Sequence, residues 1–135
     1  MTLTSSVAQN IILAAAQKAE AIGISVNIAV IDTGTYLKAF LRMDGAVLGS
    51  IDLAMKKART AALFEINSET VREYVKPGAP AEGLEFSNGI LVTFAGGIPL
   101  KSAAGEMLGA IGVSGGAVPQ DFEVAQAGAA VLHAI

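Results

Sequence analysis

Few side chains in this sequence are equipped for chemistry, and their spacing decides which chemistry. Asp32-Thr33-Gly34 follows an apolar run and is the triplet found in aspartic proteases. Two such carboxylates, brought together by a dimer, can share one proton and activate water. The same residues make a tight turn between strands, because Asp and Gly tolerate positive φ, and no other segment supports the protease pattern. Arg42-Met43-Asp44-Gly45 offers a guanidinium able to grip a carboxylate and a thioether able to wall an apolar ligand. As a plain strand exit it would carry only a surface Arg–Asp pair. Ser114-Gly115-Gly116, ahead of a helix starting near Pro119, could present backbone N–H groups to an anion. Neither a Gly-Lys-Ser/Thr sequence nor Gly-x-Gly-x-x-Gly spacing accompanies it, so a strand-to-helix turn is expected, with glycines free to line a pocket. Lys56, Lys57, Arg59 and Thr60 read as a solvated helix face, unless that helix crosses a subunit boundary and meets a neighbour's carboxylate. His133 is the one histidine; it cannot build a multi-histidine metal site, and a helix-end cation is the simpler reading. With no cysteine and no Ser/His/Asp set, catalysis would rest on carboxylates, lysines, hydroxyls or a cofactor.

The elements that must position these groups follow from periodicity. Thr4 or Ser5 caps a helix running to about Ile22, with Val7, Ile11, Ala14, Ala15 and Ile22 on one face. Gly23 supplies its left-handed C′ position. Ser25–Ile31 and Thr35–Leu41 are rich in β-branched and aromatic residues and flank the Asp32 turn as a hairpin. A helix spans about Val47 to Ile66, with Ile51, Ala54, Ala58, Ala61 and Ala62 on one side. A shorter helix capped by Asn67 or Ser68 stops at Pro77. Pro77 to Gly83 reads as an exposed loop. Alternation through Phe86, Asn88, Ile90, Val92 and Phe94 predicts a strand, and Gly96-Gly97 turns it into a short strand Ile98–Ser102, where Pro99 suggests an edge. Met107 to Gly116 is apolar at odd and even positions alike, which predicts a central strand covered on both faces. A last helix begins near Pro119 and faces Phe122, Ala125, Ala129 and Leu132 inward.

At 135 residues the chain suits one domain, residues 1–135. It is 53% hydrophobic but only 16% charged, more apolar surface than a monomer comfortably hides, so an oligomer is expected. No apolar run approaches the ~20 residues of a membrane helix, and no leader pattern is seen. A net charge of −3 argues against nucleic acid as partner.

Several blocks together resemble one family. They are Val30-Ile31-Asp32-Thr33-Gly34, Leu37 to Ala46 (LKAFLRMDGA), Lys57-Ala58-Arg59-Thr60-Ala61, Phe94 to Leu100 (FAGGIPL), Gly109 to Gly115 (GAIGVSG), Gln120-Asp121 and Val124-Ala125. In order and content these are similar to the GlcG/HbpS-like, haem-binding or haem-degrading domain proteins, which include the C-terminal domain of some cobalamin adenosyltransferases. The resemblance implies an α+β, profilin-like, three-layer α/β/α domain. Its five-stranded antiparallel sheet would have the order 2-1-5-4-3, with helices on both faces. It also implies a cytoplasmic homo-oligomer (dimer-based, tetrameric or octameric) that binds a small molecule and neither nucleic acid nor membrane. Haem is the cofactor it suggests. Haem-binding relatives resemble one another in a first-helix histidine, and Thr4–Ile22 contains none. Asp121 is kept at the start of the last helix, but Phe122 follows where many relatives have a second acid.

The leading expectation is therefore a small-molecule-binding protein for haem or a related tetrapyrrole, accessory to glycolate or diol/glycerol metabolism. Its pocket would lie near Arg42, Met43, Asp44 and Thr60 and the glycine turns Gly96, Gly97, Ser114 and Gly115. One alternative is an enzyme or accessory factor for a small hydroxy-acid or diol, with Arg42 holding a carboxylate and Asp44, Lys57 or Glu69 carrying protons. Another is an assembly protein with no ligand.

Overall fold

The computed structural model describes residues 2–134 and begins with α1 (Ser5–Ala21), where the Thr4 hydroxyl accepts from the Val7 amide. The helix stops as expected at Ile22, and Gly23 takes the left-handed conformation at φ 78°. β1 (Asn27–Asp32) and β2 (Leu37–Arg42) form the hairpin, shifted one to two residues later than the apolar runs alone suggest. α2 (Ser50–Phe64) and α3 (Ser68–Val75) follow. Then come β3 (Gly97–Lys101), β4 (Met107–Ser114) and α4 (Val118–Ala129), and the described chain ends in a 3-10 turn, Ala130–Ala134.

The strands form one antiparallel sheet in the order β2-β1-β4-β3. β4 is central and its last seven residues are buried, as its two-sided apolarity requires. Ile28, Val30, Ile111 and Val113 pack with α1 and α4 on one face. Ile31 and Ala110 meet Ala58, Ala61 and Ala62 of α2 on the other. Close approach of α2 depends on Gly112, where a Cβ would run into the Ala54 carbonyl and Ala58. Helices therefore cover both faces of an α+β domain.

The sheet has four strands, which corrects the expected five in the order 2-1-5-4-3. The missing strand is the one read from Phe86 to Phe94. Leu84–Phe86 is a 3-10 turn, and Asn88, Gly89 and Ile90 follow one another at φ 54°, 71° and 76°, in the left-handed region. Three such residues cannot continue a strand. The hairpin that would have joined this segment to β3 is intercepted by Ser68. Its hydroxyl donates to Phe94 O at 2.8 Å and accepts from Gly97 N at 2.9 Å. Two residues on, Pro99 has no N–H to give a fifth strand. The segment is held to α2 instead, through Val92 N to the Thr60 hydroxyl (3.1 Å) and Arg59 to Asn88 O (3.1 Å). Alternating hydrophobicity was real, but a side chain from another helix outcompeted the ladder.

Candidate functional site

Lys57 lies on the third turn of α2 at 0% exposure, which corrects its reading as part of a solvated face. Its neighbours explain the burial. Nζ donates to Val113 O at 2.9 Å and to Asp121 Oδ2 at 3.0 Å, and it sits 4.9 Å from the centre of the Phe94 ring. Two hydrogen bonds and one aromatic face thus use the ammonium's three donors. Asp121 is held in the first turn of α4, where the helix dipole favours negative charge, and its Oδ1 accepts from Gly116 N at 2.8 Å. Burial pushes the Lys57 ammonium down from its ordinary value, opposed by attraction to Asp121. It pushes the Asp121 carboxyl up, opposed by Lys57 and the glycine amides.

The glycine turns expected near the pocket close over this pair. Gly96, at φ 131°, has room for no side chain, because a Cβ there would lie 2.9 Å from Lys57 Nζ and on Val113 O. Gly97 is pressed against the Lys57 carbonyl, Ser114 is buried at the end of β4, and Gly115 lies over Ser25 and Val26. Thr60 is a tie, donating to Lys56 O at 2.8 Å while it receives Val92 N. Lys56 pairs with Asp52 on the exposed side of α2. Asp121 escaped the sequence-derived set of ligand residues, although two signals existed. Lys57 falls beside Ala54, Ala58 and Ala61 at helical spacing, so it belongs to the buried stripe, and Asp121 is the one acid in the first turn of α4.

Arg42, Met43 and Asp44 are elsewhere. They leave the end of β2 and line an open cleft of about 510 Å³ against the last turn of α1, together with Ala16, Glu20, Ile24 and Leu41. Met43 packs partly on the core, whereas Arg42 and Asp44 are exposed. The cleft joins an apolar wall to a free-standing guanidinium, suited to an apolar molecule bearing a carboxylate. The eight expected residues therefore divide between this cleft and the glycine-closed lysine. Glu69 is half-buried on α3, away from both.

Asp32 is committed to its turn: Oδ1 accepts from Gly34 N at 2.9 Å and Tyr36 N at 3.0 Å. That is the hairpin reading of the triplet. His133 lies in the terminal 3-10 turn, beside a cleft between α4 and β3. Among the described residues no cluster of three or more His, Cys, Asp or Glu could hold a metal ion. No helix is long and apolar enough to cross a membrane.

A three-layer α+β domain with a glycine-packed central strand, a buried Lys–Asp bridge and an open cleft at one sheet edge defines the class. The chain belongs to the HbpS-like family: the family model described as haem degrading protein HbpS-like matches residues 3–130. It is 36% identical over 126 residues to an uncharacterised 15.0 kDa protein in the dhaT-dhaS intergenic region of Citrobacter freundii, covering 93% of this chain and 88% of that protein. The crystal structure of Klebsiella pneumoniae protein ORFY superposes with a TM-score of 0.95 at 32% identity, over 100% of this chain and 93% of that one. The crystal structure of a PduOC:haem complex gives 0.91 at 33% identity, over 97% and 95%.

Proposed function

We propose that the protein is a small-molecule-binding accessory protein whose ligand is haem or a related tetrapyrrole, held in the Arg42–Met43 cleft. The observation that carries this is the pairing of an apolar wall (Ala16, Ile24, Leu41, Met43) with the Arg42 guanidinium in one cleft. A tetrapyrrole needs both, because its ring is apolar and its edge carries carboxylates. Support comes also from PduOC, a relative of nearly the same size and shape that was crystallised with haem. The donor set fits: Met43 supplies a thioether for a metal, and Arg42 a bidentate partner for a propionate. Bound iron would supply redox chemistry that no side chain here can.

The same reading makes the protein a cytoplasmic homo-oligomer built on dimers, accessory to glycolate or diol/glycerol metabolism. Exposed Leu13 on α1, with Tyr36 and Leu37 at the free edge strand β2, supports an interface on that side.

The test is a titration with metal-free protoporphyrin followed by fluorescence, with size-exclusion on the same samples. Saturable binding is expected, weakened roughly tenfold or more by Arg42→Ala, the scale of a lost charge-assisted hydrogen bond. A flat titration over a well-formed particle retires the tetrapyrrole reading.

A further inference from the structure

We propose that the groove between α4 and β3 is a second ligand site, which takes a metalloporphyrin through axial ligation by His133. The proposal rests on the reading that the chain binds tetrapyrroles, but not on the Arg42–Met43 cleft. The groove has a volume of about 370 Å³ and is lined by Asn67, Ile98, Phe122, Gln126, Ala129, Ala130 and His133. That volume falls within the roughly 300–1,000 Å³ of small-molecule sites.

Its construction follows from helix geometry. Phe122, Gln126 and Ala129 stand at i, i+4 and i+7 on one stripe of α4. Ile98 of β3 provides the opposite wall. Ala129 and Ala130 keep the floor shallow, so a flat ring meets no bulky side chain between Phe122 at one end and His133 at the other. Phe122 is only half-buried and offers a face for stacking. Asn67 and Gln126 supply amide donors at the rim.

The position of His133 is fixed by its neighbour. Leu132 is buried at 1% exposure in the main core, which anchors the terminal turn that carries the imidazole. An imidazole is the commonest protein ligand to haem iron, and a single one suffices, unlike a multi-histidine metal site. The first helix holds no histidine, so this is the one imidazole the chain can offer.

Haemin titration of the full chain, followed in the Soret region, tests this. Wild type is expected to give a saturable, displaced Soret band. His133→Ala should weaken haemin binding about tenfold or more and move the band, and millimolar imidazole should restore it. Metal-free protoporphyrin, which has nothing to ligate, should bind wild type and His133→Ala alike. A variant that keeps both the band and the affinity, or a wild type that takes protoporphyrin but not haemin, overturns the second site and leaves the Arg42–Met43 cleft standing. Loss of both ligands overturns both readings. Circular dichroism of His133→Ala confirms that the comparison is between folded proteins.

Discussion

Lys57 Nζ lies 3.0 Å from Asp121 Oδ2, and the two side chains tie α2 to the start of α4 across the end of β4. Their exposures are 0% and 3%, so neither charge is shared with water. Helices on opposite faces of the sheet are thus joined where the central strand ends, through a channel that Gly96 and Gly116 leave open.

Removing one end of the bridge should be costly. Asp121→Asn leaves a buried ammonium without its counter-charge, and a loss of about 3–5 kcal/mol is expected in urea unfolding. Replacing both ends with apolar groups in Lys57→Met/Asp121→Leu should be about neutral, or stabilising by up to ~4 kcal/mol. A single variant as stable as wild type would show that the bridge does not hold the helices.

The bridge also sets a pH signature opposite to that of an exposed ion pair. The folded pKa of Lys57 lies below its ordinary 10.5, so over that window the unfolded chain keeps a proton the folded one has lost, and stability rises with pH. The folded pKa of Asp121 lies above 3.8, so as pH climbs from there the folded chain holds a proton the unfolded one has released, and stability falls. Wild-type stability minus that of Lys57→Met/Asp121→Leu should therefore be lowest between the two windows and rise toward each. Urea midpoints across pH would reveal it, and a maximum at neutral pH would contradict it.

Ser68 makes a third prediction. Ser68→Ala removes the acceptor of Gly97 N and the donor to Phe94 O, both buried, at an expected cost of about 1–3 kcal/mol. Hydrogen exchange should quicken at the Gly97 amide while the amides inside β1 and β4 stay protected. Unchanged exchange at Gly97 would mean that another group holds the turn.

Much of the frame was legible because local signals agreed with one another. Thr4 and Gly23 mark both ends of α1, and the doubly apolar Met107–Ser114 stretch occupies the middle of the sheet. The fifth strand was misread because its alternation was judged alone. Ser68 lies 26 residues from Phe94 and competes for the same hydrogen bonds, a contact that period cannot show. Lys57 was misread for a related reason. Residue type argued for solvent, whereas its place beside Ala54, Ala58 and Ala61 argued for the interior, and a carboxylate 64 residues away decided between them. The Arg42–Met43–Asp44 group was legible as one unit because it is contiguous. The glycines gathered with it belong to a different end of the argument, since they make room for a lysine.

The border of the sheet at β3 bears on how copies of this chain avoid fusing. Gly97 has already given its outward N–H to Ser68, Pro99 has none, and Lys101 brings a charge. A foreign strand sliding along that side finds no run of donors to template on. β2, on the far border, contains no proline between Leu37 and Arg42, so it defends itself with Lys38 and Arg42 alone. Fibril-like growth is therefore blocked by backbone chemistry at one margin and only discouraged by charge at the other, and the sheet can be extended from a single side.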